Sequence, residues 1–367
     1  MLFTLHKYAG LIAGVLLTLI GVTGSLLVFH DTLDRWLTPA VRVHGGGAPA
    51  PLAEVVEAAR RALPDRPAQR LYLAEPGGAH TVRFAGPEGA PGPLEASVAP
   101  DTARVVAVRQ WGVYATSWVY RLHYTLLAGT PGKYVVGVAG LCLLFFGFSG
   151  LYLWWPRKGR WRGAVAIRTD KGAFRLNHDL HKSVGVLTLP VLMVVAFSGV
   201  ALVFPGPLGG LVGAVLPLEP RPVHLSEPPA PDAPSLDVDQ AVAAGADVFP
   251  DATLKRVYLP TEPRSPYILA YNQPGEAWRH YPATRVWVDR YSGAVLDHWD
   301  PLTVAAGSKF LVWQFPLHNG DALGLVGRWL VVAGGLLPGL LFFTGLYLWW
   351  KKRQLARKAR RRRARRS

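Results

Sequence analysis

Four stretches of 22 residues, 8–29, 134–155, 183–204 and 329–350, contain no Asp, Glu, Lys, Arg or His. A helix needs roughly 20 apolar residues to cross a hydrocarbon core about 30 Å thick. One such run suits a buried helix of a soluble protein, but four of equal length specify a helical membrane protein with four spans. The first run exceeds the apolar segment of a signal peptide. VTGSLLVFHDTLDR at its end holds no A-x-A-like cleavage site, so the run is expected to stay as an anchor.

Charge then orients the spans. Loop 156–182 carries eight basic and two acidic residues, the tail from Lys351 carries eleven basic and no acidic ones, and Lys7 precedes the first run, a net +18. The other two connections hold 20 basic and 22 acidic residues, a net −2. Positive loops stay in the cytoplasm, so both ends are expected inside and both long connections outside. The overall charge of +16 therefore marks orientation, and the tail ARKARRRRARRS suits anionic lipid rather than nucleic acid.

The chain is also duplicated. LHKYAGLIAGVLLTLIGVTGSLLVF from Leu5 aligns without gaps on LHKSVGVLTLPVLMVVAFSGVALVF from Leu180, an offset of 175. From His123 to Trp155 the offset to the second half is 195, which superposes two copies of GLYLWW. Both halves cross the bilayer in the same sense, so a pseudo-two-fold axis along the membrane normal relates them. Each outer segment opens with a helical stretch (LAEVVEAARRALP, VDQAVAAGADVFP) and continues with four strand-like stretches. DRYSG reads as a hairpin turn. The expected fold is a four-helix transmembrane bundle (1–30, 134–155, 183–204, 329–350) with a basic cytoplasmic loop (156–182) and tail (351–367). Two small α+β domains (31–133 and 205–328) are expected outside.

The histidines concentrate what chemistry there is. His6 and His181 are repeat partners at the expected cytoplasmic span starts, and His123 and His318 are partners near the outer ends of the other two spans. His178, three residues before His181, competes for the inner position. At 100° per residue, Gly10, Gly14, Leu17, Gly21 and Gly24 all fall within about 80° of His6. Gly185, Ala196 and Gly199 similarly follow His181. This small-residue face suits either close helix packing or a flat cofactor seated between helices.

The paired histidines favour the cofactor. A b-type haem in a membrane bundle takes two neutral imidazoles on facing helices and no cysteine. The one cysteine, Cys142, rules out CxxCH attachment and Cys-rich metal sites. An imidazole at a helix N-terminus is held neutral by the helix dipole, which suits a ligand. His44, His80, His224, His280 and His298, in the outer segments, are expected to be solvated surface groups. The sequence holds no G-x-G-x-x-G after a strand, no Walker A and no H-E-x-x-H. Electrons for any haem must therefore come from outside the chain.

LHKYAGLIAG with TGSLLVF and DTLDRWLTP, RLHYTLL, GKYVVGVAG, SGLYLWWPR, NHDLHKSVG, PLHNGDALG and TGLYLWW together resemble the PepSY-associated transmembrane family, which includes iron-regulated membrane proteins and ferric-siderophore reductases of Gram-negative bacteria. ASVAPDTARVVAV and VWVDRYSGAVLDHWD resemble the last hairpin of PepSY modules, the first without the usual turn Gly. The resemblance covers essentially the whole chain. It implies two periplasmic PepSY-like domains and, as in reductase members, two b-type haems carrying electrons across the inner membrane. His6, His123, His178, His181 and His318 match the family's histidine motifs, and the match leaves open which of them share a haem. The implied function is an oxidoreductase passing electrons from a cytoplasmic or quinol donor to a periplasmic acceptor such as a ferric siderophore. The rival is a haem-free permease or accessory protein for siderophore or metal uptake, its outer domains binding ligand.

Overall fold

The computed structural model describes every residue except 44–45, 157–158, 231–232, 279–280 and 366–367, so His44 and His280 lie outside the described residues. The first half contains α1 (Leu2–Leu27), α2 (His30–Leu37), α3 (Leu52–Ala62), β1 (Ala68–Tyr72), β2 (His80–Phe84), β3 (Leu94–Val98), β4 (Val105–Gln110), α4 (Ala115–Thr125) and α5 (Gly129–Trp154). The second adds α6 (Trp161–Val165), α7 (Gly172–Leu187), α8 (Leu189–Val203), α9 (Pro205–Gly213), α10 (Val238–Gly245), β5 (Thr253–Tyr258), β6 (Tyr267–Asn272), β7 (Thr284–Val288), β8 (Val295–Trp299), α11 (Ala306–Val312), α12 (Gln314–Asn319) and α13 (Gly324–Ala364). A helical unit comprises Met1–Val28, Val119–Gly206 and Leu317–Ser367; a sheet unit comprises Phe29–Trp118 and Pro207–Pro316.

In the helical unit, three helical stretches among the described residues are long and apolar enough to cross a membrane: α1, α5 and Asp321–Ala364. The third expected span is not one helix. α7 and α8 meet at Thr188 with a bend of 63° and make a fourth crossing only if taken together. Pro190, in the first turn of α8, has no N–H to give back to α7, so the hydrogen-bond ladder breaks there. The helices also begin earlier than the apolar runs. His6 lies within α1 and His181 within α7, so neither sits at a helix N-terminus and the dipole argument does not apply to them.

Helix α1 packs on α13 and α5, and α5 packs on α8 and α7. Where α1 crosses α13 there is no room for a side chain at Gly14 or Gly21. A Cβ on Gly21 would stand 2.1 Å from the Gly335 carbonyl oxygen, and one on Gly14 would strike the Phe342 ring. Ser25 Oγ donates to the Val332 carbonyl at 2.8 Å across the same contact. Gly14 and Gly21 thus serve the close approach of helices.

The two expected α+β segments are joined in the sheet unit. All eight strands form one antiparallel sheet, ordered β4-β3-β2-β1-β5-β6-β7-β8. β1 and β5 pair edge to edge, with Arg70 opposite Tyr258, Leu71 opposite Val257 and Tyr72 opposite Arg256. Each would otherwise be an unpaired edge of a four-stranded repeat, and joining removes both edges. The two repeats also gain a common core, larger than either could bury alone.

Helices α3 and α10 belong to that core. LAEVVEAARRA repeats its apolar residues at helical spacing, and Val55, Val56 and Ala59 pack with Val238 and Ala241 of α10 on Leu71, Val82, Val98, Val257, Leu269 and Val286. The repeats cap each other as well. Asp239 of α10 accepts the Leu52 and Ala53 N–H groups at 2.9 and 2.8 Å, satisfying two of the first amides of α3. In DRYSG, Asp289 Oδ1 accepts from the Tyr291 and Ser292 amides and Gly293 takes φ +77°, while the first repeat places Ala103 there at φ +50°. His80, expected on the surface, is buried on the core side of β2, where its Nδ1 accepts from the Ala74 N–H at 3.0 Å.

Candidate functional site

The helical unit brings four of the five candidate histidines together in two pairs. His6 on α1 and His181 on α7 have ring centroids 6.5 Å apart, and His123 on α4 and His318 on α12 have theirs 6.2 Å apart. Each pair joins the two repeats. The fifth candidate, His178, joins neither: its side chain is 47% exposed and its Nδ1 lies 3.4 Å from Asp179. Buried Asp179 is held in turn by Arg175 at 2.9 Å and Lys182 at 3.6 Å.

Every paired ring is oriented the same way. His6 Nδ1 lies 2.7 Å from Ser149 Oγ, and His181 Nδ1 lies 3.0 Å from Thr344 Oγ1. His123 Nδ1 faces Thr23 Oγ1 at 3.2 Å and the Ile20 carbonyl at 2.9 Å; His318 Nδ1 faces Ser198 Oγ at 3.2 Å and the Val195 carbonyl at 3.0 Å. All four hydroxyl groups are buried.

The hydroxyl protons decide the tautomer. Thr23, Ser149, Ser198 and Thr344 each donate to the carbonyl four residues back, at 2.7–2.8 Å. A hydroxyl has one proton, so toward the imidazole each can only accept. Nδ1 therefore carries the proton, and Nε2 keeps its lone pair. No Nε2 of the four makes a hydrogen bond among the described residues. This is the arrangement of metal-ligating histidine, in which an oxygen fixes Nδ1–H and leaves Nε2 to the metal.

Glycines make room for the rings. A Cβ on Gly24 would stand 2.8 Å from His123 Cε1, and one on Gly199 would stand 2.9 Å from His318 Cε1. At the other pair the values are 3.6 Å from Gly150 to His6 and 3.3 Å from Gly345 to His181. Each histidine is thus seated on one Ser/Thr-Gly dipeptide. The sequence reading used Gly24 and Gly199 but missed the hydroxyls. The missed signal is the dipeptide itself, repeated at Thr23-Gly24, Ser149-Gly150, Ser198-Gly199 and Thr344-Gly345 at the same two offsets as the histidines.

The spacing suits a shared metal. An imidazole–metal bond of about 2.0–2.1 Å with a ring centroid roughly 1.1 Å behind the nitrogen puts two such centroids about 6.2–6.4 Å apart. Both pairs fall close to that range. Along α1, His6 lies 14 to 17 residues from the Ile20 and Thr23 oxygens that hold His123, about 21–26 Å at 1.5 Å per residue. The pairs therefore lie toward opposite ends of the helical unit.

The family model of the PepSY-associated TM region matches residues 3–352. The chain belongs to that family. A Pseudomonas aeruginosa protein, uncharacterized protein PA4219, is 30% identical over 266 residues, which covers 67% of this chain and 66% of that relative, just under two thirds of its length.

Proposed function

We propose that this PepSY-associated membrane protein is a di-haem b oxidoreductase of the bacterial inner membrane, with His6 and His181 holding one haem and His123 and His318 the other. The tautomer carries this reading. Four half-buried imidazoles, paired across the repeat, are each fixed with Nδ1 protonated and with Nε2 free of hydrogen bonds among the described residues. Two nitrogen ligands per site leave four coordination positions, the number a porphyrin fills. Held by two imidazoles, a haem would supply a one-electron carrier suited to electron transfer rather than oxygen chemistry. Ser149, Thr344, Thr23 and Ser198 orient the ligands, and Gly24, Gly150, Gly199 and Gly345 keep space beside them.

The direction follows from charge. In a four-helix bundle with the basic loop 156–182 and tail 351–367 in the cytoplasm, the His6–His181 pair lies on the inner side and the His123–His318 pair on the outer side. The sheet unit then lies in the periplasm as two joined PepSY-like modules. A cytoplasmic or quinol donor and a periplasmic acceptor fit that placement. The family resemblance supplies the acceptor class, ferric iron in a siderophore.

The test is a dithionite-reduced minus oxidised spectrum of membranes from overproducing cells, with purified protein to follow. The expected result is a low-spin b-type spectrum that copurifies with the chain. A chain purified intact with no haem from haem-replete cells would refute the proposal and favour a haem-free permease or accessory protein.

A further inference from the structure

The face of the sheet opposite α3 and α10 carries an unusual charge. Alternation along each strand sends Leu71, Val82, Val257 and Val286 into the core, and it sends Arg70, Tyr72, Arg83, Arg256, Tyr258 and Arg285 to the other side. β1 and β5 meet there, so the two repeats contribute arginines to one patch. Arg70 stands opposite Arg83, an unfavourable pairing unless something neutralises it. Arg83 has its own carboxylate, Glu95, at 3.0 Å. Arg70, Arg221, Arg256 and Arg285 have no carboxylate within ion-pair distance among the described residues.

These four arginines converge on aromatic rings instead. Arg256, only 4% exposed, lies 4.3 Å from the centroids of both Tyr72 and Tyr281, and its Nη1 donates to the Tyr258 hydroxyl at 3.2 Å. Arg70 and Arg285 lie 5.1 and 5.4 Å from the Tyr258 ring, and Arg221 lies 5.8 Å from Trp299. The buried Nε atoms of Arg256 and Arg285 have no hydrogen-bond acceptor among the described residues. Burial alone would raise the Tyr258 phenol, yet Arg285, Arg256 and Arg70 outweigh it and hold the phenol below its ordinary value.

Cation–π contact offsets part of the cost of burying guanidinium, but it leaves the charge in place. We infer that this arginine–tyrosine face is a binding site for a small multivalent oxyanion bearing carboxylate or phosphate groups. Arg256 forms its floor, Arg70 and Arg285 supply bidentate donors, and Arg221 and Tyr281 stand exposed at its rim. Guanidinium matches carboxylate and phosphate by its planar pair of N–H groups. The inference does not depend on haem.

The test is isothermal titration of the full chain in nanodiscs of zwitterionic lipid, with citrate and pyrophosphate as probes at low salt. One site per chain is expected for at least one probe, with affinity falling steeply as salt rises. Arg285→Gln and Arg70→Gln should each weaken binding about tenfold, the loss of one charge-assisted contact. Arg61→Gln, in an exposed pair with Glu57, should change nothing. Arg256 is left intact because its burial makes a folding defect the expected result.

A readout on the wild-type chain guards against misfolded variants. The bound anion should raise the Tyr258 phenol, followed at the phenolate absorbance against Tyr258→Phe. No saturable binding of either probe would overturn the inference, as would unchanged affinity in folded Arg70→Gln/Arg285→Gln. Probe binding seen in zwitterionic nanodiscs but abolished at the same ionic strength by anionic lipid would assign the face to headgroups and overturn it too.

Discussion

Removing one hydroxyl at each end of the helical unit should have unequal effects, and the inequality can be worked from the hydrogen bonds. His6 Nδ1 has Ser149 Oγ at 2.7 Å as its acceptor, whereas His123 Nδ1 has both Thr23 Oγ1 at 3.2 Å and the Ile20 carbonyl at 2.9 Å. Ser149→Ala leaves the His6 N–H facing a buried methyl group, since Ser149 is only 4% exposed and water does not replace it freely. An unpaired buried donor costs about 1–3 kcal/mol, and loss of the oxygen that orients a metal-bound histidine typically costs about 10–100-fold in affinity. Thr23→Val keeps the carbonyl, so the expected loss is under about threefold, near the low end for a single neutral hydrogen bond. The assay is haem transfer to apomyoglobin from the purified variants, followed in the Soret band. Ser149→Ala should release one of two haems at least tenfold faster than wild type, and Thr23→Val should release both at nearly the wild-type rate. Equal release from the two variants would refute the argument that these oxygens set the ligand's tautomer and orientation.

Three further outcomes follow from the same geometry. Gly199→Ala puts a methyl group 2.9 Å from Cε1 of a ring held at two points, so it should empty the His123–His318 site, whereas Gly150→Ala, at 3.6 Å, should leave the other site filled; the haem content of each variant checks this. Asp239→Ala removes both acceptors at the start of α3 and should destabilise the sheet unit by about 1–2 kcal/mol, read as a lower melting temperature with unchanged haem content. At Asp289, burial would raise the carboxyl, but donation from Ser292 and Tyr291 outweighs it and lowers the pKa in the fold. A carboxyl lowered by folding stabilises above its unfolded value of about 3.9 and loses that contribution as pH falls through the folded value. Asp289→Asn should therefore flatten the acid limb of thermal stability below about pH 4, and an unchanged acid limb would contradict this assignment.

Much of the helical architecture was legible because membrane spans obey a local rule. Apolar runs of the right length announce themselves, and a duplication points to the partner of each histidine. The bend at Thr188 was less visible, since a proline near the start of a helix and one inside it look alike until the hydrogen bonds are known. Pro338 lies within α13 without ending it. Helix starts were misplaced because the charged flanks are also good helix formers, which put His6 and His181 inside their helices. The hydroxyls escaped notice because Ser and Thr in apolar helices usually bond only to their own backbone, and these do that as well as accept from histidine. The seam between β1 and β5 joins residues almost 190 positions apart, such as Arg70 and Tyr258. No local pattern distinguishes a strand that ends a sheet from one that continues into its duplicate.

Haem stoichiometry by pyridine haemochrome, on wild type and on two double variants, tests the central claim most directly. Two haems per chain are expected in wild type, one in His6→Ala/His181→Ala and one in His123→Ala/His318→Ala, with His178→Ala retaining both. Folded double variants that keep both haems, or a His178→Ala chain that loses one, would contradict it.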